Sequence, residues 1–134
     1  MELSRIVNRQ QEFDDWLDDV LPDLPPADVR AYCFNIFELT NGFAVQVIGA
    51  PAYEAASNNW PCDETWTSHP VDFSLPHSEF GTDWRAVESI VVQLVRKFLH
   101  NQYTSKARLL QESDAVAVGF IDGDLITVWP EATT

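Results

Sequence analysis

The N-terminal segment has the apolar spacing of an amphipathic helix. Its large apolar residues recur mostly on one side at about 100° per residue: Leu3, Ile6, Phe13, Trp16, Leu17, Val20 and Leu21. This pattern predicts a helix from about Ser4 to Leu21, which ends because Pro22 cannot continue it. Four acids are predicted on the opposite side, and they repel one another and crowd the negative end of the helix dipole: Asp14, Asp15, Asp18 and Asp19.

Two apolar runs flank the predicted turn Thr40-Asn41-Gly42. The first, about Val29 to Leu39, is rich in Val, Tyr, Phe and Ile, and the second covers Phe43 to Gly49. Asn-Gly between two such runs is a strong hairpin signal, because both residue types tolerate a positive φ. Both runs carry large apolar residues on both faces, which predicts central positions in a sheet.

The segment from Ala50 to Phe80 follows neither period. Val71 to Leu75 fits a short edge strand, but the rest is irregular. An irregular segment of this length is uncommon inside a compact domain and often carries function. Its prolines and aromatic residues are Pro51, Tyr53, Trp60, Pro61, Trp66, Pro70, Phe73 and Pro76.

Helical spacing returns near Asp83. Thr82 is a suitable N-cap, and a broad apolar stripe from Trp84 to Phe98 predicts a helix over about Asp83 to His100 that packs on the sheet. A short helical turn and a second hairpin follow. Their predicted bounds are Ser105 to Leu110 for the turn of helix, Ala115 to Ile121 and Leu125 to Trp129 for the strands, and Asp122-Gly123 between them.

These elements predict an α+β fold in the order α-β-β-(β)-α-β-β. An antiparallel sheet of four to five strands with two main helices packed on it accommodates that order. At 134 residues the chain is long enough for one domain with a substantial core and short for two, so we expect a single domain over 1–134.

Charge is distributed unevenly along the chain. The formal net charge is −13, and no Lys or Arg occurs from Ala31 to Trp84. Such a chain repels nucleic acid and anionic membrane surfaces and attracts a basic partner. Solubility is the alternative explanation of the acidity, but a surface that is merely solvated usually intersperses both signs. The acids of the cation-free tract are Glu38, Glu54, Asp63, Glu64, Asp72, Glu79 and Asp83.

Targeting features indicate the compartment in which the protein acts. No apolar run has the length of a signal peptide or of a membrane span of roughly 18 residues, so we expect a cytoplasmic protein. Cys33 and Cys62 are then expected as reduced thiols, and Cys33, within a strand-like run, as a small buried apolar residue.

Motifs for catalysis, metals and cofactors are weak. Cys62, Asp63, His69 and His77 include zinc-ligand types, but no spacing holds two of them on one rigid turn. Cys62 beside one of the histidines lacks an oxyanion hole and an orienting partner, and no glycine-rich phosphate loop is present. We therefore expect no catalytic residue, no metal and no cofactor.

The segment from Trp60 to Trp66 has a different character, because two tryptophans flank the adjacent acids Asp63 and Glu64. Tryptophan buries a large area at interfaces, and carboxylates beside it can pair with Arg or Lys of a basic partner. We predict a partner-binding surface here, with the four acids of the first helix as a second such surface. Two alternatives stay open: the tryptophans pack back onto the sheet, and the helix acids serve solubility alone.

Two motifs together resemble small bacterial immunity proteins of polymorphic or contact-dependent toxin systems. They are the Trp-Pro-Cys-Asp-Glu-Thr-Trp loop (Trp60 to Trp66) and the Gly-Phe-Ile-Asp-Gly-Asp hairpin (Gly119 to Asp124). The resemblance implies a cytosolic, acidic, single-domain inhibitor that occupies the basic active site of a toxin or an adjacent surface. The expected partner is therefore a basic protein, with no nucleic acid or membrane involved and this chain a monomer or homodimer.

Type III secretion chaperones are the alternative class. They are similar in acidity, size and element order, and they dimerise and bind effector proteins. They usually end in a further helix, for which this sequence leaves no room after its last predicted strand, and the proline-containing segment is unlike their compact sheets.

Overall fold

The chain folds as a twisted sheet with its long helices on one face. The computed structural model describes residues 2–54, 56–100, 104–121 and 123–130, with the side chains of the first helix described from Arg9 onward. The elements of the described residues are α1 (Glu2–Val20), β1 (Ala31–Leu39), β2 (Gly42–Ala50), a 3₁₀ turn (Trp60–Asp63), β3 (Trp66–Thr67), β4 (Phe73–Pro76), α2 (His77–Phe80), α3 (Trp84–Leu99), α4 (Ser105–Gln111), β5 (Ala115–Phe120) and β6 (Ile126–Trp129).

The predicted α+β class is confirmed, and so are the central positions of β1 and β2. The strand order is β3-β2-β1-β5-β6, with β4 also paired to β2. The short strand β3 was not predicted and brings the described sheet to six strands. One pair departs from the predicted antiparallel arrangement, because β5 lies parallel to β1 from Ala31↔Ala115 to Ile36↔Phe120. A parallel neighbour requires a long crossover, which α3 and α4 supply.

The β1–β2 turn is one residue shorter than the predicted turn Thr40-Asn41-Gly42. Leu39 pairs with Gly42, so Thr40 and Asn41 form the loop. Among the described residues positive φ angles occur at Asp28 and Gly81, so the predicted use of positive φ at Asn41-Gly42 is wrong. Gly42 serves close packing instead, because a Cβ there would lie 2.8 Å from the Leu75 carbonyl oxygen. Glycine at this position allows β4 to pair with β2.

The main core lies between the sheet and the helices α1, α3 and α4. Phe13 and Leu17 of α1 are fully buried, as the predicted apolar stripe requires, and the Phe13 ring lies 6.1 Å from the ring of Phe34 on β1. The apolar stripe of α3 is buried in or packed against the same cluster from Val87 to Phe98, whereas Trp84, predicted as part of the stripe, is 49% exposed. Each fully buried side chain of this size contributes about 1.5–3 kcal/mol, so this cluster supplies most of the driving force for folding.

The N-terminal cap of α3 is Asp83, and the predicted cap at Thr82 is wrong. The Asp83 carboxylate accepts a hydrogen bond from the backbone N–H of Arg85 at 3.0 Å, and Asp83 has the extended conformation of a cap residue. Thr and Asp are both suitable cap residues, but an ionised carboxylate also interacts favourably with the positive end of the helix dipole.

The opposite face of the sheet, called here the helix-free face, carries a second and smaller cluster. Its members are mostly small: Ala31, Cys33, Ile48, Ala50, Trp60, Ala115 and Ala117. Cys33 is fully buried, as predicted, and burial raises the pKa of its thiol to about 12. Both cysteines are free, Cys62 at the surface. Within the described residues, no helix combines the length and apolar character needed to cross a membrane.

Candidate functional site

The two tryptophans of the predicted binding loop lie on opposite sides of the sheet. Trp60 begins the 3₁₀ turn, is only 6% exposed and packs edge-on against Tyr53 in the cluster of the helix-free face. Trp66 lies in β3, is half-buried against the main core and meets Tyr32 edge-on at 6.3 Å. The rings have therefore packed back onto the sheet, and they do not form a joint exposed anchor.

The acids between these tryptophans remain at the surface. Asp63 ends the 3₁₀ turn and Glu64 follows it, and both side chains are exposed. Glu64 lines a cleft on the helix-free face, whereas Asp63 lies outside its lining. The burial of Trp60 fixes the start of this turn, so the positions of the two acids follow from the packing of the ring.

The cleft has a volume of about 150 Å³ and separates the 3₁₀ turn from the β5–β6 connection. Its lining includes Asn35 of β1 and Gln46 of β2, two half-buried amides that face each other directly in the antiparallel register. The Oδ1 atom of Asn35 lies 3.2 Å from the Cys33 thiol, which donates to it. Within the described residues the Gln46 side chain has no hydrogen-bond partner. Among the described residues the lining consists of Asn35, Gln46, Asn58, Pro61, Cys62, Glu64, Phe120, Ile121, Gly123 and Leu125.

The Asn58 side chain links the two walls of the cleft by hydrogen bonds. Its Nδ2 atom donates to Asp124 Oδ1 at 3.2 Å, and its Oδ1 atom accepts from the backbone N–H of Leu125 at 3.1 Å. Gly119 of β5 allows the backbone at Asp124 to approach this strand closely, because a Cβ at position 119 would lie 2.8 Å from the Asp124 carbonyl oxygen. The predicted turn residue Asp122 is outside the described residues, and Gly123 donates to the Phe120 carbonyl at 2.9 Å. These contacts position the walls of the cleft and do not involve the amide side chains of Asn35 and Gln46, which form its floor.

The surroundings of the cleft are acidic. The segments that line it contain no Lys or Arg. They belong to the cation-free tract from Ala31 to Trp84 and to a second tract without Lys or Arg that begins after Arg108. Exposed carboxylates stand at its edges, and Asp124 lines a depression that shares Asn58 and Cys62 with the cleft. The exposed cations among the described side chains of α3 and α4 lie on the helical side of the molecule: Arg85, Arg96, Lys97 and Arg108.

The acids of α1 divide into two groups. Asp15, Asp18 and Asp19 are exposed, as predicted. Asp14 is half-buried and accepts from Gln10 Nε2 at 2.8 Å, so its predicted place on the fully solvated side is wrong. Burial raises the pKa of Asp14, the hydrogen bond from Gln10 lowers it in part, and the charge of Asp15 raises it further. Gln10 also donates to the Leu94 carbonyl, which places this side of α1 against α3.

Lys106 of α4 places a positive charge at the C-terminal end of α1, whose own last turn contains no basic residue. Its Nζ atom donates to the Asp18 carbonyl at 3.1 Å and to the Leu21 carbonyl, and lies 3.6 Å from Asp23 Oδ1. The side chain is only 11% exposed. A cation in this position satisfies free carbonyls and opposes the negative end of the helix dipole. Sequence reasoning missed it, because the lysine lies far along the chain.

The groups whose pKa values are shifted lie away from the cleft. Among the described residues the pKa values raised by burial belong to Asp14, Tyr32, Cys33 and Glu88, and none of these residues lines the cleft. No group of three or more His, Cys, Asp and Glu side chains in the described part of the chain is arranged to hold a metal ion. The predicted zinc-ligand types are dispersed: His69 pairs with Asp72 at 3.0 Å, and His77 lies 3.3 Å from Glu38.

Comparisons with family models, with curated proteins and with solved structures found no match to this chain.

Proposed function

We propose that this protein is an inhibitor that binds a basic protein, and specifically an immunity protein that neutralises a bacterial toxin. The observation that carries the proposal is the cleft on the helix-free face, where two cation-free tracts of the sequence meet around exposed carboxylates. Asp63 and Glu64 form one edge of this surface and Asp124 lies across from them.

Electrostatics makes this surface suited to a basic partner. A face of one charge sign accelerates encounter with an oppositely charged protein and disfavours acidic competitors. The exposed cations of α3 and α4 lie on the helical side, so they do not face a basic partner that approaches the helix-free face. Carboxylates at the rim then form charge-assisted hydrogen bonds with Arg or Lys of the partner.

The architecture also supports binding by a preformed surface. Trp60 is buried beneath the 3₁₀ turn, and Asn58 ties the turn to the β5–β6 connection through two hydrogen bonds. Rigid surfaces lose less conformational entropy when they bind, which raises affinity. An immunity protein has to bind its toxin faster than the toxin acts, so steering and rigidity are both advantageous.

The test begins with the genes that neighbour the gene of this chain, and any basic toxin candidate found there is co-expressed with this protein. We expect the protein to rescue growth and the double variant Asp63→Lys, Glu64→Lys to lose rescue, with affinity lowered by at least about 2 kcal/mol. Both side chains are exposed, so the melting temperature of this variant should stay near that of the natural chain.

A matched double reversal on α1, Asp15→Lys with Asp19→Lys, makes the same change of charge away from the cleft. It should retain rescue and slow association only at low salt. Loss of rescue in this variant alone would move the binding surface to α1, and unchanged affinity in a folded Asp63→Lys, Glu64→Lys variant would refute the cleft as the interface. A complex that forms without protecting growth would refute the immunity function.

A further inference from the structure

We infer that the cleft on the helix-free face receives one arginine side chain of the basic partner. The inference rests on the proposed function, since it names the group that the partner inserts into the same surface. It names a specific contact with the partner, which charge complementarity alone does not define.

The size of the cleft selects a single side chain. Its volume of about 150 Å³ equals roughly five water molecules at liquid density. Sites for drug-sized molecules or cofactors typically occupy about 300–1,000 Å³. The cleft taken by itself is therefore smaller than a typical cofactor site and larger than one or two waters, and it adjoins a depression of about 310 Å³ that shares Asn58, Cys62 and Gly123 with it.

The acceptors in the cleft suit a guanidinium group. The Glu64 carboxylate stands at the edge, and the Asn35 and Gln46 amides lie side by side on the floor. The Gln46 amide has no partner within the described residues, so it can present its oxygen without breaking an internal hydrogen bond. A guanidinium has five N–H donors spread over a rigid plane and can bind the carboxylate and an amide oxygen together, whereas a lysine ammonium is a compact point charge.

The remaining lining suits the stem of the same side chain. Pro61 and Leu125 contribute apolar surface to the lining, whereas the Phe120 ring packs on the other face against Phe43 and Trp84. Arginine buries its methylene groups along such surface while its charged end reaches acceptors. The walls are set in advance by Asn58 and by the close approach at Gly119, so ordering the cleft costs little on binding.

The experiment uses two capped peptides, acetyl-Gly-Arg-Gly-amide and its lysine counterpart, titrated into the isotope-labelled full chain and followed by NMR. We expect the arginine peptide to shift the backbone and side-chain resonances of Asn35, Gln46 and Glu64, and to bind at least about fivefold more tightly than the lysine peptide. Gln46→Leu and Glu64→Gln should each lower affinity for the arginine peptide about fivefold or more.

Glu54→Gln removes the same charge at an exposed position outside the cleft and is the matched control. Equal affinity for the two peptides, or resonance shifts spread over the acidic surface, would overturn the inference. Because Glu64 is exposed, Glu64→Gln tests the site even if Gln46→Leu disturbs the fold. Failure of this experiment while Asp63→Lys, Glu64→Lys still abolishes growth rescue would remove the arginine contact and leave the proposed function in place.

Discussion

Replacing Lys106 by Met tests how the acidic helix α1 is stabilised. The change keeps an unbranched stem of similar length, exchanges one methylene group for sulfur and removes the ammonium group. In the folded protein that group donates to the Asp18 and Leu21 carbonyls at the end of α1 and lies 3.6 Å from Asp23. The variant therefore leaves two carbonyls without their side-chain donor and the helix dipole without a nearby cation.

The magnitude follows from these contacts. Hydrogen bonds that involve a charged group contribute about 1.5–3 kcal/mol each, and a partly buried cation at a helix C-terminus up to about 2 kcal/mol. The terms overlap, and water can reach the freed carbonyls in part. The Asp23 carboxylate is 96% exposed, so its ion pair adds little. We expect Lys106→Met to lower the free energy of unfolding by about 2–3 kcal/mol.

Urea denaturation followed by far-UV circular dichroism and tryptophan fluorescence measures this change without adding salt. Lys97→Met is the matched control, because Lys97 is exposed in the last turn of α3 and should cost less than about 0.5 kcal/mol. Part of the Lys106 effect should persist at high salt, since the side chain is only 11% exposed. A loss for Lys106→Met no larger than that of the control would refute the proposed stabilisation of α1.

Two further changes test the capping of α3 and the burial of α1. Asp83→Ala should cost about 1 kcal/mol in thermal or urea unfolding, whereas Thr82→Ala should stay within about 0.5 kcal/mol; the reverse order would restore Thr82 as the cap. Asp14 has a raised pKa in the folded state, so its contribution to stability is present below the unfolded value near 3.8 and is lost as pH rises through the folded value. Asp14→Asn should therefore stabilise the protein at pH 7 and cease to do so near pH 3, and urea unfolding that shows equal effects at both pH values would contradict the assigned burial.

The sequence by itself determined the local elements of this protein. The apolar stripe that contains Phe13 and Leu17 predicts α1, and the runs on either side of Asn41-Gly42 predict β1 and β2, because helical and strand periods are properties of neighbouring residues. The burial of Cys33 and the α+β class follow from the same patterns. These features depend on interactions close along the chain.

The pairing of the strands, by contrast, is decided only by the tertiary structure. Nothing in the period of β5 distinguishes a parallel neighbour from an antiparallel one, and its place beside β1 depends on the path of α3 and α4. The role of Gly42 likewise depends on β4, a strand that lies more than thirty residues away. Pairing partners are set by long-range packing, which a local pattern does not encode.

The candidate site likewise combines features that the sequence determines with features that only the fold decides. The acids Asp63 and Glu64 were identifiable from sequence as neighbours of two tryptophans, but residue type does not say which face of a sheet a tryptophan packs on. Trp60 and Trp66 lie on opposite faces because each ring finds apolar surface there, Trp60 beside Tyr53 and Trp66 beside Tyr32. The amide floor of the cleft comes from the β1–β2 register, and its far wall from the β5–β6 connection, which lies much further along the chain. The charges were therefore determined by the sequence, while the cleft that they surround exists only because folding brings these distant segments into contact.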